Sequence, residues 1–284
     1  MIIIDYSQTI ISSLMAELNG DTEAKLEVNL IRHMVINAIR SYHKKYSGDF
    51  GDLVIACDSR KYWRKEVFPY YKANRKKVRD NSGYDWNIIF DTINILKAEL
   101  KEFFPYKLVE VEGAEADDII ATLCKETQKT QDPVLIISGD HDFMQLQKYP
   151  NVKQYSPVQQ KYVKCKNDPK ETLLEHIIRG DRGDGVPNVL TGDESIVEGK
   201  RQRPIQSKKL ALWLADPKEM PQDPTFVTNF ERNQTMIDLS RIPEDIESNI
   251  INTFKMQSIK DKSMLIDYFN EHKMKNMLEL IEEF

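Results

Sequence analysis

The chain has 284 residues, 30% charged and 40% apolar, with a formal net charge of −5, which is ordinary for a globular protein able to bury a sizeable core. Its apolar runs, such as "VLIIS", end after about five residues, far below the roughly 18 that a membrane span needs, and "MIIIDYSQTI" has no basic leader, which excludes a secretory signal. The scattered Cys57, Cys124 and Cys165 provide neither a zinc site nor a disulfide framework and suit a reducing compartment, so an intracellular, soluble chain is expected.

The first element is "MIII" (1–4), an apolar run that reads as a buried strand and stops at Asp5. A helical pattern follows over 26–46. "LVIAC" (53–57) is a second strand, stopping at Asp58, and a strongly basic strip, 59–80, comes directly after it. Helical periodicity resumes over 86–104, and "KLVEV" (107–111) is a weaker strand. "EGAEADD" then opens a helix over 115–127 with Glu115, Asp117 and Asp118 at its start. "VLIIS" (134–138) is a strand followed by Asp140 and Asp142. "PKETLLEHIIRG" (169–180) begins with Pro and ends with Gly, as helices do. Five of the eleven glycines fall between 180 and 199, marking a loop-rich segment, and helical patterns including 242–254 run on toward the C-terminus. Strands alternating with helices predict an α/β fold, a central mostly parallel sheet flanked by helices. A catalytic domain over 1–180 and a helical subdomain over 181–284 are expected.

The carboxylates form a pattern. Single strand-end aspartates are commonplace as caps and turns. In a parallel sheet, however, all the carboxyl ends open on one side, where ligands bind. Asp5, Asp58, Asp140 and Asp142 are therefore expected to converge, joined by Glu115, Asp117 and Asp118. Asp181 and Asp184, three apart in "RGDRGDG", would share one face if that piece is helical. Acids so gathered repel and raise one another's pKa values unless cations lie between them. An all-oxygen donor set with no histidine cluster suits a hard cation, Mg²⁺ or Mn²⁺, and there are ligands enough for two ions.

The strip itself holds nine Lys or Arg over 60–79 against a single acid, Glu66, with Tyr62, Trp63, Phe68, Tyr70 and Tyr71 threaded through it. A solvated charged face does not usually carry five aromatics, although Trp63 and Phe68 are natural core residues. Cations that follow phosphates, interleaved with rings that stack on bases, describe a single-strand nucleic-acid grip. Arg64, Lys65, Lys72, Arg75, Lys76 and Lys77 are its candidate contacts. A second basic run, "GKRQRPIQSKK" (199–209), offers Lys200, Arg201 and Arg203 to duplex phosphates.

In this order the motifs resemble the structure-specific 5′ nuclease (flap endonuclease) family, in particular its T-even-type phage ribonuclease H branch, over nearly the whole chain. "IIIDYSQ" resembles the family's first-strand aspartate, and "CDSRKYWRKEVFPYYKANR" its second aspartate followed by the arch (about 59–85). "EGAEADD" and "SGDHDFMQL" are similar to the family's acidic helix start and its Asp-x-Asp motif. "RGDRGDGVPNV" resembles the lead-in to a helix–hairpin–helix, after which "VLTGDESIVEGKRQRP" departs from the usual Gly-Ile-Gly-x-Lys pattern. The resemblance implies that Asp5, Asp58, Glu115, Asp117 and Asp140 serve the catalytic metal. Asp118, Asp142, Asp181 and Asp184 would serve a second. Lys72 and Arg75 would contact the scissile phosphate, and Tyr71 would stack on a base. The implied activity is two-metal, Mg²⁺-dependent hydrolysis from the 5′ end of duplex or flap nucleic acid, removing RNA primers and adjacent DNA in lagging-strand replication. It would act as a monomer in the host-cell cytoplasm, with DNA and RNA–DNA duplexes as partners, and a single-strand-binding protein and a sliding clamp as further candidates. The competing readings are a metal-dependent single-strand endoribonuclease, an aspartyl phosphotransferase, and a structure-specific DNA-binding protein without chemistry.

Overall fold

Three aliphatic runs form the middle of a six-stranded sheet. In the computed structural model, which describes residues 1–18, 20, 21 and 27–284 except for the side chains of 16 and 17, the strands are β1 (Ile2–Asp5), β2 (Leu53–Ala56), β3 (Lys107–Val109), β4 (Val134–Ile137), β5 (Val152–Ser156) and β6 (Lys161–Val163). Their order is β3-β2-β1-β4-β5-β6, all parallel except the last pair, β5–β6, which is antiparallel. The mostly parallel sheet expected from the strand–helix alternation is thus present. The β5–β6 hairpin was not anticipated, because "VKQYS" and "KYV" are polar edge segments without an aliphatic run.

The sheet is buried on both faces because alternate residues of each central strand enter different core layers. Ile2, Ile4, Leu53, Ile55, Leu135 and Ile137 face the helices α1 (Tyr6–Leu18), α2 (Val28–Phe50) and, beyond the basic strip, α5 (Trp86–Phe103). Of the helix expected over 26–46, residue 26 lies outside the described residues. Ile3, Val54, Ala56, Val134 and Ile136 face the opposite layer, built around α6 (Ala116–Glu126). The strip carries two short helices, α3 (Trp63–Val67) and α4 (Asn74–Asp80). After α7 (Pro169–Arg179) come α8 (Ser207–Ala215), α9 (Pro224–Ile237), α10 (Glu244–Met256), α11 (Ser263–Glu271) and α12 (Lys275–Leu278).

These later helices join the same layers. Ile246 and Ile250 of α10 enter the core beside α6, and Leu265, Tyr268 and Phe269 of α11 enter the core beside α5. A smaller cluster of Ile178, Val189, Leu210, Trp213, Met220 and Phe226 holds α7, α8 and α9 together. Gln257, just past α10, covers the edge of β3: its side chain accepts from Leu108 N (3.0 Å) and donates to Leu108 O (2.8 Å). Edge strands are exposed to unwanted pairing unless covered in this way. No helix among the described residues is long and apolar enough to cross a membrane.

Between α7 and α8 the structure has turns, not the helix–hairpin–helix-like element expected there, and "RGDRGDG" is not helical. Asp181 instead pairs with Val186 in an antiparallel bridge, and its Oδ1 accepts from Asp184 N at 3.0 Å. Glycine drives this local choice. Gly180 closes α7 at φ 68°, ψ 178°, a region open essentially to Gly alone. A Cβ there would lie 2.5 Å from the Val186 and Pro187 backbone. Gly180→Ala is expected to destabilise the protein by about 1–3 kcal/mol or more, read as a lower urea midpoint at unchanged slope.

Candidate metal and nucleic-acid site

The strand order reverses at β1, which has β2 on one side and β4 on the other, and this is where open α/β sheets bind ligands. Asp5 ends β1, Asp58 follows β2, and Asp140 follows β4. With Asp117 from the first turn of α6 and with Lys72 and Arg75 from the strip, they line one cleft of about 330 Å³. Asp5 is buried and its Oδ1 accepts from Gln8 N at 3.1 Å. Burial first, and the charge of Asp58 second, push its carboxyl up to about 7. Asp117 is likewise raised well above the usual range by burial, with Asp140 and Asp5 adding to it and Lys72 opposing. Asp58 Oδ1 accepts from Ala116 N at 2.9 Å, so it also fixes the start of α6.

A second grouping lies beside the first. Asp142, His176 and Asp181 each offer a donor atom, all within 4.8 Å of one another. His176 Nδ1 is 3.2 Å from Asp142 Oδ1, and Nε2 is 3.4 Å from Asp181 Oδ2. Burial works against the charged imidazole, but Asp181 and Asp142 outweigh it, and the His176 pKa lies above its ordinary value. Burial lifts the Asp142 carboxyl to about 7. Asp142 Oδ1 is buried, with His176 Nδ1 at 3.2 Å as its charged neighbour. His176 was missed from sequence, where no histidine cluster was visible. It sits in the last turn of α7, five residues before Asp181, a spacing with no established ligand pattern.

Residues 1–174 match the family described as 5′–3′ exonuclease, N-terminal resolvase-like domain, and residues 168–284 match the one described as T4 RNase H, C terminal. The chain belongs to the 5′–3′ exonuclease family. Ribonuclease H of Enterobacteria phage T4 is 33% identical over 294 residues, spanning 99% of this chain and 95% of that protein. A flap endonuclease Xni of Shewanella sp. (strain MR-4) is 31% identical over 144 residues, 48% of this chain and 52% of that protein. A crystal structure of the T5 D15 protein co-crystallized with metal ions has the same fold, with a TM-score of 0.65 at 17% identity, covering 89% of this chain and 97% of that one.

Four residues expected at the ligand, Arg64, Glu115, Asp118 and Tyr71, are turned inward. Arg64, expected on phosphate, is 2% exposed. Its guanidinium lies 2.9 Å from Glu115 Oε2 and 2.8 Å from Asp118 Oδ1, and its Nε donates to the Met236 carbonyl at 3.0 Å. Asp118, expected on the second metal, is fully buried in that ion pair, and its Oδ2 accepts from Glu115 N at 2.9 Å and from Trp63 Nε1 at 3.2 Å. Tyr71, expected to stack on a base, is 3% exposed, and its hydroxyl donates to Asp184 Oδ2 at 3.0 Å. In each case a buried opposite charge or acceptor outcompetes solvent, since an unpaired buried polar group is costly. Trp63 and Phe68 are core residues, as their chemistry suggested.

Glu115 is also buried, held by Arg64 and by Lys72 Nζ. Asp184 faces the strip, where it pairs with Arg75 and lies 3.6 Å from Lys72, and so stands apart from the His176 grouping. Lys72 adopts the left-handed conformation, φ 56°, and its N donates to Asp184 O at 2.7 Å. Burial works against its charge, but Asp184 and Glu115 more than offset this and raise its pKa. Lys65, Lys76 and Lys77 are exposed, as a phosphate grip requires. Lys200, Arg201 and Arg203 are exposed on the loop before α8, with Lys200 paired to Glu198 at 2.5 Å.

Two outcomes follow from these environments. Arg64→Ala leaves Glu115 and Asp118 buried without their cation and is expected to destabilise the fold by about 3–5 kcal/mol, measured by urea unfolding. Because the folded state raises Asp5 from 3.8 to about 7, the folded chain binds that proton more tightly than the unfolded one. Metal-free protein therefore loses stability as pH rises from about 4 to about 7. Asp5→Asn is expected to flatten that decline in melting temperature, and a divalent cation to restore wild-type stability above it.

Proposed function

We propose that the chain is a metal-dependent 5′ nuclease that hydrolyses phosphodiesters from the 5′ end of duplex or flapped nucleic acid, removing RNA primers and adjacent DNA during lagging-strand replication. The observation that carries this reading is the single cleft in which Asp5, Asp58, Asp117 and Asp140 face Lys72 and Arg75. Acids alone would repel a polyanion, and cations alone would bind it without chemistry. The combination serves hydrolysis.

The donor chemistry fits two cations. Asp5, Asp58, Asp117 and Asp140 offer oxygen only, which suits Mg²⁺ or Mn²⁺. Asp142 and Asp181 with His176 form the second place, and its mixed oxygen and nitrogen donors accept Mn²⁺ readily. When bound, the cations supply Lewis acidity toward the phosphodiester and its attacking water. The chain's own part is positional and electrostatic. Lys72, drawn toward the cleft by Glu115 and Asp184, offers its ammonium to a non-bridging oxygen as negative charge builds there. Arg75 is half-exposed and can fork across a second phosphate oxygen. The exposed Lys65, Lys76 and Lys77 hold the strand on either side. The product strand carries a 5′-phosphate.

A flap duplex labelled at its 5′ end, incubated with Mg²⁺, tests the assignment. Short labelled products that vanish with EDTA and in Asp140→Asn are expected. Lys72→Ala is expected to lower kcat by about 10²–10³-fold, with a smaller effect on KM. An intact flap beside cleaved single-stranded RNA would instead favour an endoribonuclease, and binding without any cleavage would refute hydrolysis.

A further inference from the structure

The α1 side of the acidic cleft carries no charge. It is formed by Ser7, Gln8, Ile11 and Ser12, beside Asp5 and Asp140, and the hydrolytic chemistry described above makes no use of it. Gln8 is half-buried and tied to both acids. Its N donates to Asp5 Oδ1 at 3.1 Å, and its side-chain Oε1 accepts from Gly139 N at 2.6 Å, in the turn that leads to Asp140. Ser138 Oγ lies 2.7 Å from the same oxygen. A backbone N–H can only donate, so the carboxamide must turn its oxygen to Gly139, and this fixes Nε2 on the other side.

The amide is held firmly and its nitrogen is uncommitted. The turn that grips it is braced from β5, where Gln154 Nε2 donates to Ser138 O at 3.0 Å and to Asp140 O at 2.6 Å. A Cβ on Gly139 would lie 3.0 Å from Ser156 Oγ, so the turn packs closely against that strand. Asp5 and Asp140 take their hydrogen bonds elsewhere: Asp5 Oδ1 from Gln8 N, Asp5 Oδ2 from Ser138 Oγ at 3.3 Å, and Asp140 Oδ1 from Asp142 N at 3.0 Å. Gln8 Nε2 has no hydrogen-bond partner among the described residues. It is a neutral donor in a cleft whose cations, Lys72 and Arg75, are already paired with acids.

We propose that Gln8 is a further catalytic residue, its Nε2 donating to a non-bridging oxygen of the scissile phosphate from the α1 side of the cleft. This rests on the nuclease reading and adds a residue to it. Negative charge that builds on that oxygen during attack strengthens the hydrogen bond. Because Gly139 and Ser138 already hold the amide, no reorganisation is needed as the charge builds. A neutral donor suits this place. A cation beside Asp5 and Asp140 would pair with them, whereas an amide leaves both carboxylates open to cations.

The test is single-turnover cleavage by the full chain, with Mg²⁺, of a 5′-flap duplex whose scissile phosphate carries sulfur at one or the other non-bridging position, beside the all-oxygen flap. Gln8→Glu keeps the oxygen that receives Gly139 N and replaces only the donor, and Gln8→Met removes the amide without adding charge. Both are expected to cut the all-oxygen flap about 10²-fold more slowly. Sulfur accepts hydrogen bonds poorly. At the position facing Gln8 it is expected to slow the wild type about tenfold more than it slows either variant, and at the other position to slow all three alike. Each penalty is a ratio of rates within one protein, so it is read even where a variant is less stable. A residue that only braced the Asp140 turn would leave both penalties unchanged in the variants, and that result overturns the proposal, as does Gln8→Glu cutting at the wild-type rate. If the wild type leaves the all-oxygen flap intact, the nuclease reading falls and this role with it. If it cuts the flap and the penalties do not change in the variants, only the role of Gln8 falls.

Discussion

Negative charge gathered in one crevice must be offset from within the fold, and the ground plan around the cleft answers to that constraint. The parallel strands β1, β2 and β4 end side by side and deliver Asp5, Asp58 and Asp140, and the first turn of α6 adds more acid. Part of this charge is neutralised by the chain itself: buried Arg64 pairs with Glu115 and Asp118, and Lys72, in the cleft wall, lies against Glu115 and Asp184. Asp5 is buried with Asp58 and Asp140 as charged neighbours, and burial first and their charge second raise its carboxyl. The fold thus divides its acids into a set paired inside the scaffold and a set that faces the open cleft.

The same division runs through the basic strip. Its first half sends Trp63, Arg64, Phe68 and Tyr71 inward to the core layer that contains α6, with Lys65 left exposed. Its second half points outward, with Lys76, Lys77 and Val78 exposed on α4. The change falls at Lys72, whose left-handed backbone is secured by the Asp184 carbonyl, and at Gly185, where a Cβ would lie 2.8 Å from Tyr70 O. The strip is rooted on the 181–186 turn at the point where its side chains pass from buried to exposed. That root holds Lys72 and Arg75 over the acids and sets α4 beside the aromatic start of α5.

Much of this was legible in the residues, for a physical reason. Aliphatic runs bounded by Asp, a Pro–Gly-bracketed helix and an acidic helix start are local signals, and α7 and α6 fall within a residue or so of where those signals put them. The hairpin of β5 and β6 carries no such run, so its pairing depends on the neighbouring β4. The 181–186 segment, for which a helix was only a condition of the shared face, is a turn flanked and built by Gly180 and Gly185 at positive φ, a freedom that spacing rules do not weigh.

The sequence alone determined an α/β sheet with aspartates at its strand ends and a strip of cations and aromatics directly after the second, because both follow from short-range patterns. Tertiary structure alone decided which charges meet. Arg64 and Glu115 are 51 residues apart, and Arg75 and Asp184 are 109 apart, so no local rule could separate the buried cation from the one at the cleft. His176 joined Asp142 and Asp181 only because α7 packs against the turn that follows β4, an encounter set by the sheet order. Burial then gave each group its role: a charge sealed from water must take its partner from inside the fold, and one at the cleft can take it from a ligand.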